Sequence, residues 1–305
     1  MNTLFILTKR NVKLFFKDKG RFLTSLITPA ILLILFATFL GNIYKDGLTS
    51  SLPEEITFSK SAINSFAGGQ IVACILAVSC VTVSFRSNFL MVQDKANGTI
   101  KDFHISPVSP AVIAISYFLA TLLSTLAICY LGTIFCFIYL GVIGFFRTVT
   151  DVLLLLADVL LLTLFGTSLS SIINFFLSSQ GQISAVGTLV SAGYGFICGA
   201  YRPINTFGKP LRVFCSFLPS IYGTVLTRKH CLNGARAELI KQGRPKERAD
   251  IISDSYDLDF YFFDHKVPSY ARHLIRILSI LIRIGVYILL NYIKRKKKTK
   301  PSLKK

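Results

Sequence analysis

The sequence predicts an all-α integral membrane protein of six transmembrane helices. Three observations carry that prediction. The 305 residues are 52% hydrophobic and only 16% charged, with a mean hydropathy of +0.58; a soluble domain carries about 25% charge. Long stretches hold no charged residue at all, among them Ala62–Phe85 and Ala111–Phe146. Charge-free runs of roughly 18 residues or more read as membrane-crossing helices. The net charge of +19 is concentrated at the chain ends and in one long loop, so it flanks apolar spans and is not a nucleic-acid signature.

The first element is a basic lead, residues 1–21. On a helical wheel Leu4, Leu7, Leu14 and Phe15 fall on one side and Lys9, Arg10, Lys13 and Lys17 on the other. Phe5, Val12 and Phe16 lie near the boundary, and Ile6 is the exception. Such a helix lies flat in the interface, apolar face in lipid and basic face toward anionic headgroups. It is also placed to touch a cytoplasmic partner. It is not a cleaved signal peptide, because the apolar run after it is span-length and no small-residue cleavage site follows.

The spans follow in order: Phe22 to about Ile43, Ala62 to about Phe85, Pro110 to about Ile138, about Val152 to Phe176, Ile183 to Ala200, and about Leu274 to Ile293. The charge-free stretch Ile105–Phe146 is long enough for two spans, which would make seven. The basic lead and the tail Lys294–Lys305 both flank spans, and the positive-inside rule puts both in the cytoplasm. That requires an even count, so six is preferred and Gly141–Gly144 becomes an outer turn. Arg86–Pro110 then lies inside. Tyr44–Ser61, a turn at Arg147 and the long segment Tyr201–His273 lie outside. That segment carries 12 Lys/Arg against 7 Asp/Glu, which the rule tolerates because long loops are largely exempt.

The polar segment MVQDKANGTIKDFHISPVSP (Met91–Pro110) is trapped between two long apolar runs. It must lie at one face of the bilayer, where another protein can reach it. Within the spans the unusual feature is charge. Asp158 lies inside the fourth span and Arg283 near the middle of the sixth; seven residues toward the outer end of each stand Asp151 and Arg276. Seven residues is nearly two turns, so each pair shares a helix face, about 10 Å apart in depth. Buried charge is costly and usually paired or functional, and Asp158 is expected to pair with Arg283. Asp151 and Arg276 are candidates for a second buried ion pair, or else simply reach outward to the interface, as Arg commonly does.

Enzyme readings fail. There is no G-x-x-x-x-G-K-[ST] phosphate loop, no H-E-x-x-H and no G-x-S-x-G. The four histidines, His104, His230, His265 and His273, are scattered, and the seven cysteines have no metal spacing. No metal site is expected. Cys74, Cys80, Cys129, Cys136 and Cys198 fall in spans and pack as small apolar residues. Cys215 and Cys231 fall outside and could bridge, with free thiols the preferred state.

Three regions carry a resemblance. They are LTKRNVKLFFKDKGRFLTSLITPAILLILFATFLG (Leu7–Gly41), the Met91–Pro110 segment with its acidic-basic-small-Gly-Thr run and Ser-Pro, and FICGAYRPINTFGKPLRVFCSFLPSIYGTVLTR (Phe196–Arg228). In this order and spacing the chain resembles a permease of the type-2 ATP-binding-cassette exporter family, the drug- and polysaccharide-exporting branch. It departs from the family in a long insert, about 233–268.

The resemblance implies a coupling helix within Met91–Ser106 that sits in a cleft of an ATPase subunit. Asp94, Lys95, Asn97, Thr99, Lys101 and Asp102 would face that subunit and Gly98 would let the backbone turn. It implies outer re-entrant helices over Tyr201–Thr227, punctuated by Pro203, Pro210 and Pro219 and closing the exit as an outer gate. The Asp158 charges are then either a polar patch on the path or a helix-packing device.

The expected organisation is an elbow helix (1–21), a six-span permease domain (22–293) and a basic cytoplasmic tail (294–305). The chain is expected in the plasma membrane beside a second permease, itself or a sister chain. It would bind no cofactor of its own, since ATP-Mg would be held by the ATPase subunit. The expected cargo is a small hydrophobic or amphipathic, drug-like compound. The alternatives are a peptide, a cell-surface polysaccharide precursor, or a secondary transporter, whose usual inverted repeats are not seen.

Overall fold

The computed structural model describes residues 2–50, 59–204, 207–242, 256–263 and 265–298. Much of the expected insert and the tail beyond Lys298 lie outside the described residues.

Helix α1 (Asn2–Lys17) is the basic lead. It buries Thr8, Asn11 and Phe15 against the bundle, and Leu7 and Leu14 pack into an apolar cluster with Leu90, Met91 and Tyr117. Phe5, Ile6 and Phe16 are exposed. Leu7 and Leu14, expected in lipid, therefore face protein, and the exposed apolar residues of α1 are these three on another edge. Asp18 ends this helix and caps α2 (Lys19–Leu35), accepting from the Arg21 N–H at 3.0 Å. A π-helical turn (Phe36–Leu40) joins α2 to α3 (Gly41–Ser50) without a break. At that turn the Thr38 hydroxyl donates to the Ile34 carbonyl at 2.7 Å, and such back-bonding perturbs the helical ladder. Along α2, Leu23, Ile27, Ile31 and Ile34 form an exposed apolar stripe at helical spacing.

Helix α4 (Lys60–Ala96) is the axis of the fold. Its 37 residues span about 55 Å at 1.5 Å per residue, well beyond a hydrocarbon core of about 30 Å. Its entire apolar section is buried, because helices pack against it on every side. Small residues allow the approach. A Cβ added at Gly68 would strike the Ile143 side chain, and one at Gly69 would lie 2.8 Å from the Cys231 carbonyl.

Helices α6 (Pro110–Ile143), α7 (Val149–Phe176) and α8 (Gln180–Ile197) surround it. Their starts are written locally. Ser109 caps α6 ahead of Pro110, and Thr148/Asp151 and Ser179/Gln182 form capping boxes for α7 and α8. The last helix, α11 (Ser269–Lys298), packs on α7 and on a helix preceding it in the chain. Four helices among the described residues are long and apolar enough to cross a membrane: α4, α6, α7 and α11. The other two expected spans are also helical, as the α2–α3 run and as α8.

After α8, Pro203 follows a bend at Tyr201 and Arg202, Pro210 stands in the first turn of α9 (Lys209–Ser216) and Pro219 opens α10 (Pro219–Gln242). Helix α10 is the element that packs on α4, α7 and α11. It runs straight through Asn233, where the insert was expected to begin, because Ile221, Val225, Leu232, Ala235 and Leu239 continue one buried stripe. A two-residue hairpin, β1 (Tyr261–Phe262) with β2 (His265–Lys266), precedes α11. Cys215 and Cys231 are both free and buried.

Candidate functional site

At one end of the bundle α4 outruns its neighbours and bends into α5 (Thr99–Ile105). The bend is at Gly98, whose φ of +83° is left-handed and cheap only for glycine. Asn97 and Asp102 are exposed, as is Ile105 at 85%, while Gly98 and Thr99 are half-buried. Lys101 lies within the same helix. The face of α5 is thus a short polar helix with one apolar knob open to solvent.

Asp94 and Lys95, expected on that face, turn inward. Arg10 of α1 donates to Asp94 at 2.9 Å, and the Tyr117 hydroxyl of α6 donates to the same carboxylate oxygen. Burial opposes the charge of Arg10, but the hydrogen bond and charge of Asp94 outweigh it and hold the guanidinium pKa above its ordinary value. The guanidinium also covers the Phe103 ring of α5 at 5.3 Å. Arg21 of α2 donates to Gln93. Lys95 reaches the other way and donates to the carbonyls of Asn174 and Phe175 at 2.9 and 2.8 Å, satisfying the open end of α7. One stretch of α4 therefore staples α1, α2, α6 and α7 together behind α5. Charge in the sequence marks this segment as polar, but nothing in it shows which charges turn inward. Tyr117, inside an apolar run, carried no signal at all.

The second arrangement is a buried charged seam between α7, α10 and α11. Asp158 is 1% exposed and Arg276 fully buried. Arg276 Nη1 donates to the Asp158 carboxylate at 3.0 Å and its Nη2 to the Asp158 carbonyl at 3.2 Å. His230 Nδ1 lies 2.5 Å from the other carboxylate oxygen, and the His273 ring stacks on His230 with centroids 6.2 Å apart. This corrects the expected Asp158–Arg283 pair. The helices meet with α11 displaced by about two turns from the assumed register, so the outer arginine is level with Asp158. Beside the pair, Gly223 lets α10 approach α7 closely: a Cβ there would lie 2.9 Å from Leu162 Cδ2. Arg283 instead covers the Phe165 ring at 4.1 Å, a cation–π contact.

Asp151 does not reach outward either. It is 3% exposed and accepts from Asn233 at 2.9 Å and from the Thr148 hydroxyl at 2.7 Å. His230 and Asn233 were not expected in this seam. They lie on α10, whose polar composition reads as a loop, and the only signal for them is the apolar stripe running through it. Nearer the α8 terminus, Arg228 donates to Asp257 at 3.3 Å and to the Gly199 carbonyl at 2.6 Å. These bonds hold the Pro203–Pro219 segment's neighbours together. Among the described residues no group of three or more His, Cys, Asp and Glu side chains could hold a metal ion.

Compared with protein families, the chain matches the model described as ABC-2 type transporter over residues 2–230. Among curated proteins and among solved structures nothing matches.

Proposed function

We propose a function on one premise: the chain belongs to the ABC-2 type transporter family. It is a multi-pass membrane protein and the permease component of an ATP-binding-cassette transporter, embedded in the bilayer and working with an ATPase partner. Beyond that, our reading is an exporter of a small hydrophobic or amphipathic compound. It has six spans, both termini in the cytoplasm, a plasma-membrane location, and a second permease, itself or a sister chain, completing the path. ATP-Mg is held by the ATPase partner. The prolines at 203, 210 and 219 punctuate an outer gate, and the Asp158 seam packs the helices behind it.

The observation that carries this reading is α5. It is a seven-residue helix with exposed Asp102 and Ile105, and it continues from the end of α4, whose residues 93–95 are bonded to α1, α2, α6 and α7. A short helix mounted on a helix end held this firmly can pass a push into the bundle. The face that contacts the ATPase is Asn97, Thr99, Lys101, Asp102 and Ile105, while Asp94 and Lys95 form the brace.

The test separates face from brace. In the full chain co-expressed with its ATPase partner, Asp102→Lys combined with Ile105→Asp is expected to cut co-purification of the partner at least tenfold. Its melting temperature is expected to stay at the parent's, since exposed substitutions usually shift stability by less than about 0.5 kcal/mol. Asp94→Asn is expected to do the reverse and lower the melting temperature, because Arg10 loses a charged partner worth roughly 1–3 kcal/mol. Undiminished co-purification and transport in the α5 double variant would sink the assignment.

The span count has its own check. In a cysteine-free background, a single cysteine near Lys246 is expected to react with an impermeant thiol reagent in intact cells. One placed after Lys297 is expected to react only once the cells are permeabilised. Labelling of the second in intact cells, or none of the first, means that the six-span topology with cytoplasmic termini is wrong.

A further inference from the structure

At the end of the bundle that carries α1 and α5, a groove of about 280 Å³ opens between the start of α6 and the last turns of α11. Its walls are Pro110 and Ala111 of α6 with Gly285, Ile288, Leu289 and Tyr292 of α11. They are almost wholly apolar. Gly285 makes the floor: a Cβ built there has no atom within 4 Å. Leu289 and Tyr292 are 55% and 64% exposed, so the groove faces outward from the bundle.

Two features set its polarity. The wall residues of α11 fall at 285, 288, 289 and 292, one helical stripe. The same spacing puts positions 295 and 296, Arg295 and Lys296, next along it within the helix. The groove therefore runs from an apolar floor at Gly285, over a tyrosine, toward the most basic run of the chain. On the facing side is the N-terminus of the 34-residue α6, the positive end of its dipole. The Ser109 hydroxyl takes only the Val112 N–H there.

We propose that this groove binds an anionic phospholipid. One acyl chain lies along Ala111, Gly285, Ile288 and Leu289, and the phosphate lies at the level of Tyr292, toward the basic end of α11. The chemistry matches at each depth. Acyl methylenes meet a floor without polar groups, an amphipathic tyrosine sits at the headgroup level where such rings concentrate, and a basic segment follows where anionic lipid attracts Lys and Arg. A zwitterionic lipid offers the same chain but cancels its phosphate with its own amine.

The test uses the full chain purified in detergent, with phosphatidylglycerol or phosphatidylcholine of identical acyl chains added. Melting temperature and lipid retained in native mass spectrometry are read together. The parent is expected to retain phosphatidylglycerol and to melt roughly 3 °C higher with it than with phosphatidylcholine, as ligand linkage requires. Gly285→Leu fills the floor, starts from a Cβ that has no atom within 4 Å and removes no charge; it is expected to lose both the retention and the rise. Arg295→Gln with Lys296→Gln leaves the groove open and is expected to bring phosphatidylglycerol down to the phosphatidylcholine level. If Gly285→Leu does not fold, the charge variant alone decides. Equal effects of the two lipids on the parent overturn the proposal. So does a parent-like rise in either variant, or retention of a non-lipid amphiphile in place of phosphatidylglycerol.

Discussion

Gly166→Leu is expected to leave no folded protein. Gly166 sits where α7 crosses α4. A Cβ there would lie 2.7 Å from Ser84 Oγ, 2.9 Å from the Cys80 carbonyl and 2.9 Å from Val81 Cα. Two of those three atoms are backbone of the buried central helix, so no rotamer change can relieve the clash. The two helix axes must separate. That opens the small-residue seam in which Asn88 donates to the hydroxyls of Ser170 and Ser171 at 3.1 and 3.0 Å. Overpacking a core by a few methylenes costs typically about 1–3 kcal/mol, and here hydrogen bonds between α4 and α7 are lost as well. Gly166→Ala, with one carbon, is expected to survive with a melting temperature several degrees lower. Size-exclusion profiles and thermal scans in detergent read both. A leucine variant that elutes and melts like the parent means the helices do not approach this closely.

Asp158→Asn is the second large effect. Arg276 then remains fully buried, and a guanidinium cannot shed its proton. Leaving one member of a buried pair costs about 3–5 kcal/mol in soluble proteins, softened in membranes by water defects. Arg276→Gln is expected to destabilise comparably by stranding the carboxylate, with His230 as its remaining partner. The double variant, Asp158→Asn with Arg276→Gln, is expected to recover much of the loss, since no lone charge is left. Arg283→Gln is expected to cost less, removing a cation–π contact of roughly 1–2 kcal/mol, and to add independently to Asp158→Asn. Strong coupling between 158 and 283, with none between 158 and 276, would restore the pairing expected from the sequence. If the double variant is stable but no longer transports, the seam belongs to the moving path and not to packing alone.

These residues also mark where the sequence alone is legible and where it is not. Charge-free runs locate the long apolar helices because hydropathy is a property of each residue alone. Helix starts are legible where donor and acceptor are close in sequence, as in Thr148 with Asp151 or Ser109 with Val112. Contacts between distant segments are not. The sequence offers Arg276 and Arg283 as equivalent candidates two turns apart, and the choice depends on how α11 slides along α7. The inward turn of Asp94 depends on where α1 comes to rest. Helix α10 was hidden for another reason: its mean composition is that of a loop, although its buried face is apolar. The α5 bend was legible at Gly98 because a left-handed residue leaves a mark in the residue type itself.

The length of α4 has a mechanical consequence. One end carries the brace behind α5. At the other, Ser61 packs against Gly144, whose missing Cβ would lie 2.8 Å from the serine hydroxyl oxygen. Between them the helix has no proline, and its one left-handed neighbour, Gly98, lies beyond its end. It is a rigid lever of about 55 Å. A tilt of about 10° about its midpoint carries each end some 5 Å, in opposite directions, at that length. If α5 receives the ATPase stroke as proposed, a displacement delivered there would arrive at the far rim with its sign reversed, and narrowing at one face and widening at the other would be a single stroke.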